Sequence, residues 1–156
     1  MENIVNTAKY GYIIIKRYFV GIVHAEITLK NIFDDKKASE GLIKPEDVRT
    51  ATVTAIADTG SLNLVITEEL RQKLGLDIIG EKNALVANGQ RISCKITDSV
   101  KIHWKNRFTI VPAMVIPGAE KVLFGAIPLE AMDLMVNPVT QEVAGVHGDK
   151  EECLAL

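Results

Sequence analysis

The stretch Val53-Thr54-Ala55-Ile56-Ala57-Asp58-Thr59-Gly60-Ser61 decides how the chain is read. A run of strand-forming residues from about Val48 to Ala57 delivers its C-terminal end to a carboxylate, a hydroxyl and a glycine. A carboxylate there sits at the rim of the core, where partial desolvation raises its pKa unless donors hold the ionised form. Gly60 allows a backbone turn that aims amide donors at Asp58. By average residue usage Asp-Thr-Gly arises by chance in roughly 3% of chains of this length. The plain alternative is an ordinary Asx-type turn at a strand end.

Upstream, Gly21 to Leu29 alternates Val23, Ala25, Ile27 and Leu29 against His24, Glu26 and Thr28, the period of a half-buried strand. Residues 31–49 lose that period, carry five acidic and four basic residues with Gly41 and Pro45 as breakers, and read as a solvated charged insertion. Downstream, Thr67 as N-cap, Glu68 and Glu69 in the first turn, and Gly75 as the stop predict a compact helix. Strands follow at Glu81 to Ala87 and Gln90 to Thr97 about an Asn88-Gly89 hairpin signal. Val100 to Trp104 and Phe108 to Ile116 flank an Asn106-Arg107 turn, and Pro117-Gly118 ends the second. Val122 to Gly125 is a buried run feeding a short helix with Pro128 near its start. Leu134 to Val143 reads as a last hairpin around Asn137-Pro138. The total, seven or more short strands and two short helices, predicts a mainly β fold, closed or sandwich-like.

The chain has 156 residues, 47% of them hydrophobic, which suits one domain with an ordinary core. Its formal charge of −2 gives no field to attract phosphate backbones, so nucleic acid is not an expected partner. Lys16 and Arg17 cut the apolar stretch from Tyr10 to Val23 well short of the roughly 20 residues of a spanning helix, and no membrane segment or export signal is read. Residues 1–19 are left as an extra strand, a partner-binding arm or an upstream extension. The domain proper is placed at 20–145 and a tail at 146–156. Cys94 and Cys153 lack the neighbours of a zinc site and suit a reducing cytoplasm; Cys94, between Ile92 and Ile96 in the alternation, reads as a small buried hydrophobe. His24 and His103 on polar strand faces, and His147 in the tail, read as surface histidines. Trp104 and Phe108 read as core or interface.

Taken in order, Ala-Asp-Thr-Gly-Ser at 57–61, Leu-Gly-Leu at 74–76, Ala-Asn-Gly at 87–89, Pro-Gly at 117–118 and Phe-Gly-Ala-Ile-Pro at 124–128 resemble the retropepsin-like (clan AA) aspartic proteases, bacterial single-domain members above all. The resemblance covers about residues 21–143. It implies a closed β barrel or sandwich with one or two short helices, acting as a two-fold homodimer. Asp58 would be the catalytic carboxylate and Thr59 a brace between the two catalytic loops. Gly60 would make backbone contacts to substrate, and Ser61, where many relatives have Ala, could donate to Asp58 and lower the apparent pKa values of the pair. Ala87, Asn88, Gly89 and Gln90 would form the flap tip, and Leu123, Phe124 and Gly125 the second loop under the site. An Asp and an Arg that form an ion pair in many retroviral relatives are replaced here by Leu62 and Ala126.

Peptide hydrolysis of this type needs two carboxylates sharing a proton, one acting as base on water and the other polarising the carbonyl. Asp34, Asp35, Asp47, Asp77, Asp98, Asp133 and Asp149 stand in no Asp-Thr-Gly or Asp-Ser-Gly setting, so the second carboxylate is expected from a second copy of the chain. The substrate would be an extended peptide bound by strand addition beneath the flaps, with neither metal nor cofactor. Two other readings fit the residues: a dimeric protein-binding module of the same fold with little or no proteolysis, and Asp58 as phosphoryl acceptor or magnesium ligand. The last lacks a Gly-rich phosphate loop.

Overall fold

The computed structural model describes residues 22–148, so the extension 1–19, Cys153 and the tail beyond Gly148 lie outside the described residues. Period-two alternation governs the first strand, β1 (Val23–Asn31), whose odd positions from Val23 to Asn31 are buried. β2 (Thr50–Asp58) runs antiparallel to it with Val23 opposite Ala57. Then come β3 (Leu64–Ile66), β4 (Ile78–Leu85), β5 (Arg91–Trp104), β6 (Arg107–Val115), β7 (Leu123–Gly125), β8 (Leu134–Asn137) and β9 (Glu142–Gly145). The strand order is β1-β2-β7-β3-β6-β5-β4, and a further β1–β5 pairing closes the first six into a barrel. β4 is left outside as an edge strand, and β8 and β9 form a separate hairpin. The fold is thus mainly β, as the alternation predicts, and of the two arrangements left open, closed or sandwich-like, it is the closed barrel.

Three features differ from the sequence reading. The charged segment 31–49 is not simply a loop: it holds the helix α1 (Ile32–Ser39) and a 3-10 turn, Pro45–Asp47. The helix shows almost no apolar periodicity, and its signal is the cap, with Asn31 Oδ1 accepting from the amides of Phe33 and Asp34, each at 3.0 Å. The strands read as 90–97 and 100–104 are one continuous β5, because a bulge between Ile96 and Ser99 resets the alternation without ending the strand. The short apolar run after Ser61 is β3, fully buried, parallel to β6 and antiparallel to β7.

The second helix, α2 (Glu68–Leu74), follows its sequence signals closely. Thr67 Oγ1 accepts from the Leu70 amide at 3.1 Å, and Gly75 closes the helix at φ 62°. Leu70 and Leu74 face the core. The third, α3 (Ala126–Ala131), starts directly from β7. Cys94 and Trp104 are buried as expected, whereas Phe108 is 47% exposed.

Histidine burial is a partial correction. His24 and His147 are exposed, but His103 is half-buried against Phe108, with ring centroids 5.8 Å apart. Burial first, then Lys30 and Lys101, push its pKa below the ordinary imidazole value.

Candidate active site

Asp58 is the last residue of β2, and two forces fix it there. Ala57, immediately before it, is buried and anchors the strand in the core. Beside it, β2 pairs in parallel with β7, so that Ile56, Ala57 and Asp58 stand opposite Leu123, Phe124 and Gly125. The Ile56 amide donates to the Val122 carbonyl at 2.9 Å and completes that edge.

Beyond Asp58 the chain turns at once. The Ser61 amide donates to the Asp58 carbonyl at 3.1 Å, and the Gly60 amide donates to Asp58 Oδ1 at 2.8 Å. A Cβ at Gly60 would lie 3.1 Å from that same oxygen, so glycine lets the amide approach the carboxylate. The Thr59 hydroxyl is exposed and makes no hydrogen bond among the described residues. Ser61 Oγ donates to the Asn63 carbonyl at 3.4 Å, so the expected Ser61-to-Asp58 hydrogen bond is not made in this chain.

The loop is fastened from below by the segment after β7. The Ala126 amide donates to the Ser61 carbonyl at 2.7 Å and the Ile127 amide to the Leu62 carbonyl at 2.9 Å. Gly125 is packed so tightly that an added Cβ would collide with the Asn63 carbonyl and come within 2.7 Å of the Ser61 carbonyl oxygen. Leu123, Phe124 and Gly125 therefore meet Asp58, Thr59, Gly60 and Ser61 in one two-loop unit. Phe124 is fully buried beneath it.

Ala87, Asn88, Gly89 and Gln90 lie apart, at the tip of the β4–β5 hairpin. The turn holds itself: the Gly89 amide donates to the Val86 carbonyl at 2.8 Å, and the Gln90 amide donates to Asn88 Oδ1 at 2.9 Å, with Gly89 at φ 82°. Two clefts of about 460 and 730 Å³ run along the start of α2 and the Pro117-Gly118 turn, sharing Thr67, Glu69 and Glu120; neither is lined by Asp58. Among the described residues, no three His, Cys, Asp or Glu side chains cluster as metal ligands.

Sequence reasoning missed the groups that hold the loop, because they are main-chain atoms: the carbonyls of Ser61, Leu62, Asn63 and Val122 and the amides of Ala126 and Ile127. Their one trace in sequence is Gly125. Leu62 at 65% and Ile127 at 48% form an exposed apolar pair beside the site.

No curated protein matches the chain. A family model described as "Aspartyl protease" matches residues 45–148, a span that takes in Asp58, the β4–β5 hairpin and the Gly125 loop. On that match, with a closed barrel that carries Asp-Thr-Gly at a strand end clamped by an apolar-Gly loop, the chain belongs to the retropepsin-like aspartyl protease family.

Proposed function

We propose that the chain is an aspartic endopeptidase acting as a two-fold homodimer, in which Asp58 and its symmetry mate share one proton and activate a water against a peptide bond. The observation that carries this reading is the Asp58 loop: a carboxylate at a strand end, one oxygen held by the Gly60 amide at 2.8 Å, and the loop fixed by three main-chain hydrogen bonds and a glycine contact. Preorganisation of this kind is what general acid–base work on water requires.

The dimer follows from the chemistry, since one carboxylate cannot be base and acid together. Two features of the surface support it. The Thr59 hydroxyl has no partner among the described residues and is available to its mate across the axis. Leu62 and Ile127, joined by a 2.9 Å main-chain hydrogen bond, flank Asp58 with exposed apolar side chains suited to a subunit contact. Ser61, Gly60 and the second loop at Leu123 to Gly125 support the catalytic carboxylate, and Ala87 to Gln90 close over an extended peptide. Buried, unpaired Cys94 suits a cytoplasmic, reducing setting.

The test is cleavage of a diverse peptide library by wild-type protein and by Asp58→Asn, with solution mass measured on both. Expected are dimers in both cases and a fall in cleavage of about 10³-fold or more in the variant, which is about 4 kcal/mol of transition-state stabilisation. Unchanged cleavage by Asp58→Asn, or a wild-type protein that is monomeric while active, would refute the reading. Partner binding without any cleavage would replace it with the binding-module reading.

A further inference from the structure

The β4–β5 hairpin joins the barrel through two irregularities at one level. In β4, Ile78 pairs with Thr97 and Gly80 with Ile96, so Ile79 is an extra residue. In β5, Ile96 pairs with Met114 and Ser99 with Pro112, so a second extra residue falls at Thr97–Asp98. A bulge loosens the ladder locally and bends its strand; two of them side by side make a line of weakness across the hairpin. Beyond that line β4 pairs only with β5, and seven of its eight residues are exposed.

The Thr97 side chain and one main-chain hydrogen bond stand in for the missing ladder bonds. Thr97, fully buried, accepts from the Ala113 amide at 3.1 Å and donates to the Asp98 carbonyl at 2.7 Å. The Asp98 amide donates to the Asp77 carbonyl at 2.9 Å and ties the bulge to the segment entering β4. Asp98 Oδ1 is enclosed and has no hydrogen-bond partner.

We propose that the paired bulges at Ile79 and Thr97–Asp98 are the hinge of the β4–β5 hairpin, and that Asp98 is its positioning residue, holding the hairpin down when protonated and releasing it when ionised. An ionised carboxylate with an enclosed, undonated oxygen must draw in water, and the least costly route lies along the hairpin, where β4 pairs only with β5 and β5 beyond the bulge meets β6 only at Lys95 and Ile96. The charged groups facing Asp98 reinforce this. Asp77, in the link between α2 and β4, repels it. Arg49, at the head of β2, attracts it but is engaged by both carboxylate oxygens of Asp34, at 2.6 and 2.9 Å. The facing residues of β6, Pro112 to Met114, carry no charge. Burial, with Asp77 adding to it, raises the Asp98 pKa above the ordinary carboxylate value, against the Asp77 main-chain amide and Arg49, which lower it.

The inference rests on the proposed function only in taking the hairpin to cover Asp58. Its experiment is amide hydrogen exchange in the full chain across the acid range, corrected for intrinsic rates, in wild type, Asp98→Asn, Asp98→Glu and Asp58→Asn. In wild type, opening at Glu81 to Leu85 and Arg91 to Ile96 rises several-fold as Asp98 ionises, while Val100 to Trp104 is unmoved. Asp98→Asn is flat at the protected level, and Asp98→Glu restores the dependence. Asp58→Asn follows wild type, so a failed peptidase reading leaves the hinge standing. A wild-type dependence that persists in Asp98→Asn, or a hairpin and barrel that change in parallel, would overturn the hinge. Should Asp98→Asn not fold, the wild-type Asp98 carboxyl titration serves instead: hairpin amide shifts that fail to follow it overturn the proposal equally.

Discussion

Gly125 and Asn63 are in backbone contact: the Cα of the first lies against the carbonyl of the second, and no side chain larger than hydrogen fits between them. Gly125→Ala should therefore push the Asp58 loop off its seat. The obstacle is backbone, which cannot swing aside, so the expected cost is about 1–3 kcal/mol of stability, read by urea unfolding. Cleavage should fall further than stability. Gly118→Ala, where a Cβ meets nothing within 4 Å and only the positive φ of 76° resists, is the control and should cost about 1 kcal/mol with cleavage retained.

Asn31 joins two helices that sequence alone leaves unrelated. Its Oδ1 caps α1, while its Nδ2 donates to the Leu74 carbonyl at 2.9 Å, at the end of α2. Asn31→Ala removes the cap and strands a buried carbonyl, so a loss of about 2–3 kcal/mol is expected in thermal or urea unfolding. Asn31→Asp keeps the cap yet sets a carboxylate against that carbonyl. It should rescue little above pH 5 and more below it.

Acid should weaken α1 and α2. Asp34 is buried, and its Arg49 hydrogen bonds hold its pKa below the ordinary carboxylate value against the desolvation that raises it. Glu68 is held down to about 2 by hydrogen bonds from Arg71 and then Gln72. For both groups the folded pKa lies below the unfolded one, so their stabilisation is complete above the unfolded values of 3.8 and 4.5 and is lost as pH falls through the folded values. Asp98 has the opposite sign and favours the fold at low pH. Urea midpoints between pH 7 and 2 check this. Asp34→Asn should flatten part of the acid slope and, because Arg49 is half-exposed, cost only about 1–2 kcal/mol at pH 7.

Arg107 is 1% exposed, and its guanidinium serves the C-terminal end of the described chain, donating to the carbonyls of Met132 and Asp133 at 2.8 and 2.9 Å and to that of Gly148. Arg107→Ala should cost about 3–5 kcal/mol. Arg107→Lys should recover little of it, since one ammonium cannot reach acceptors set out for a planar fork. Calorimetry on the two variants separates charge from geometry.

The barrel was legible because its strands obey a local rule. Val23 to Leu29 and Val100 to Trp104 bury alternate residues, and their turns carry the residues that turns require. Thr67 and Gly75 marked α2 for the same reason. What stayed hidden is non-local or main-chain. β3 is too short and too uniformly apolar to show a period, and only pairing with β6 and β7 makes it a strand. α1 has a cap but no apolar stripe. Asp58 stood out through its neighbours in sequence, whereas the carbonyls and amides that seat its loop belong to residues whose side chains are not involved. Ser61 shows the limit from the other side: its hydroxyl could reach a carboxylate in principle, but the turn hands it to Asn63.

The parallel pairing of β2 with β7 has a consequence for how the molecule is made. On the side away from β1, Ile56 to Asp58 find their strand neighbours in Leu123 to Gly125, so a nascent chain cannot seat the Asp58 loop until the seventh strand has emerged from the ribosome. Pairings so distant along the polypeptide slow folding. A polypeptide truncated before Leu123 keeps one edge of β2 open to solvent and to other chains, and its aspartate is without the seat on which the proposed chemistry depends.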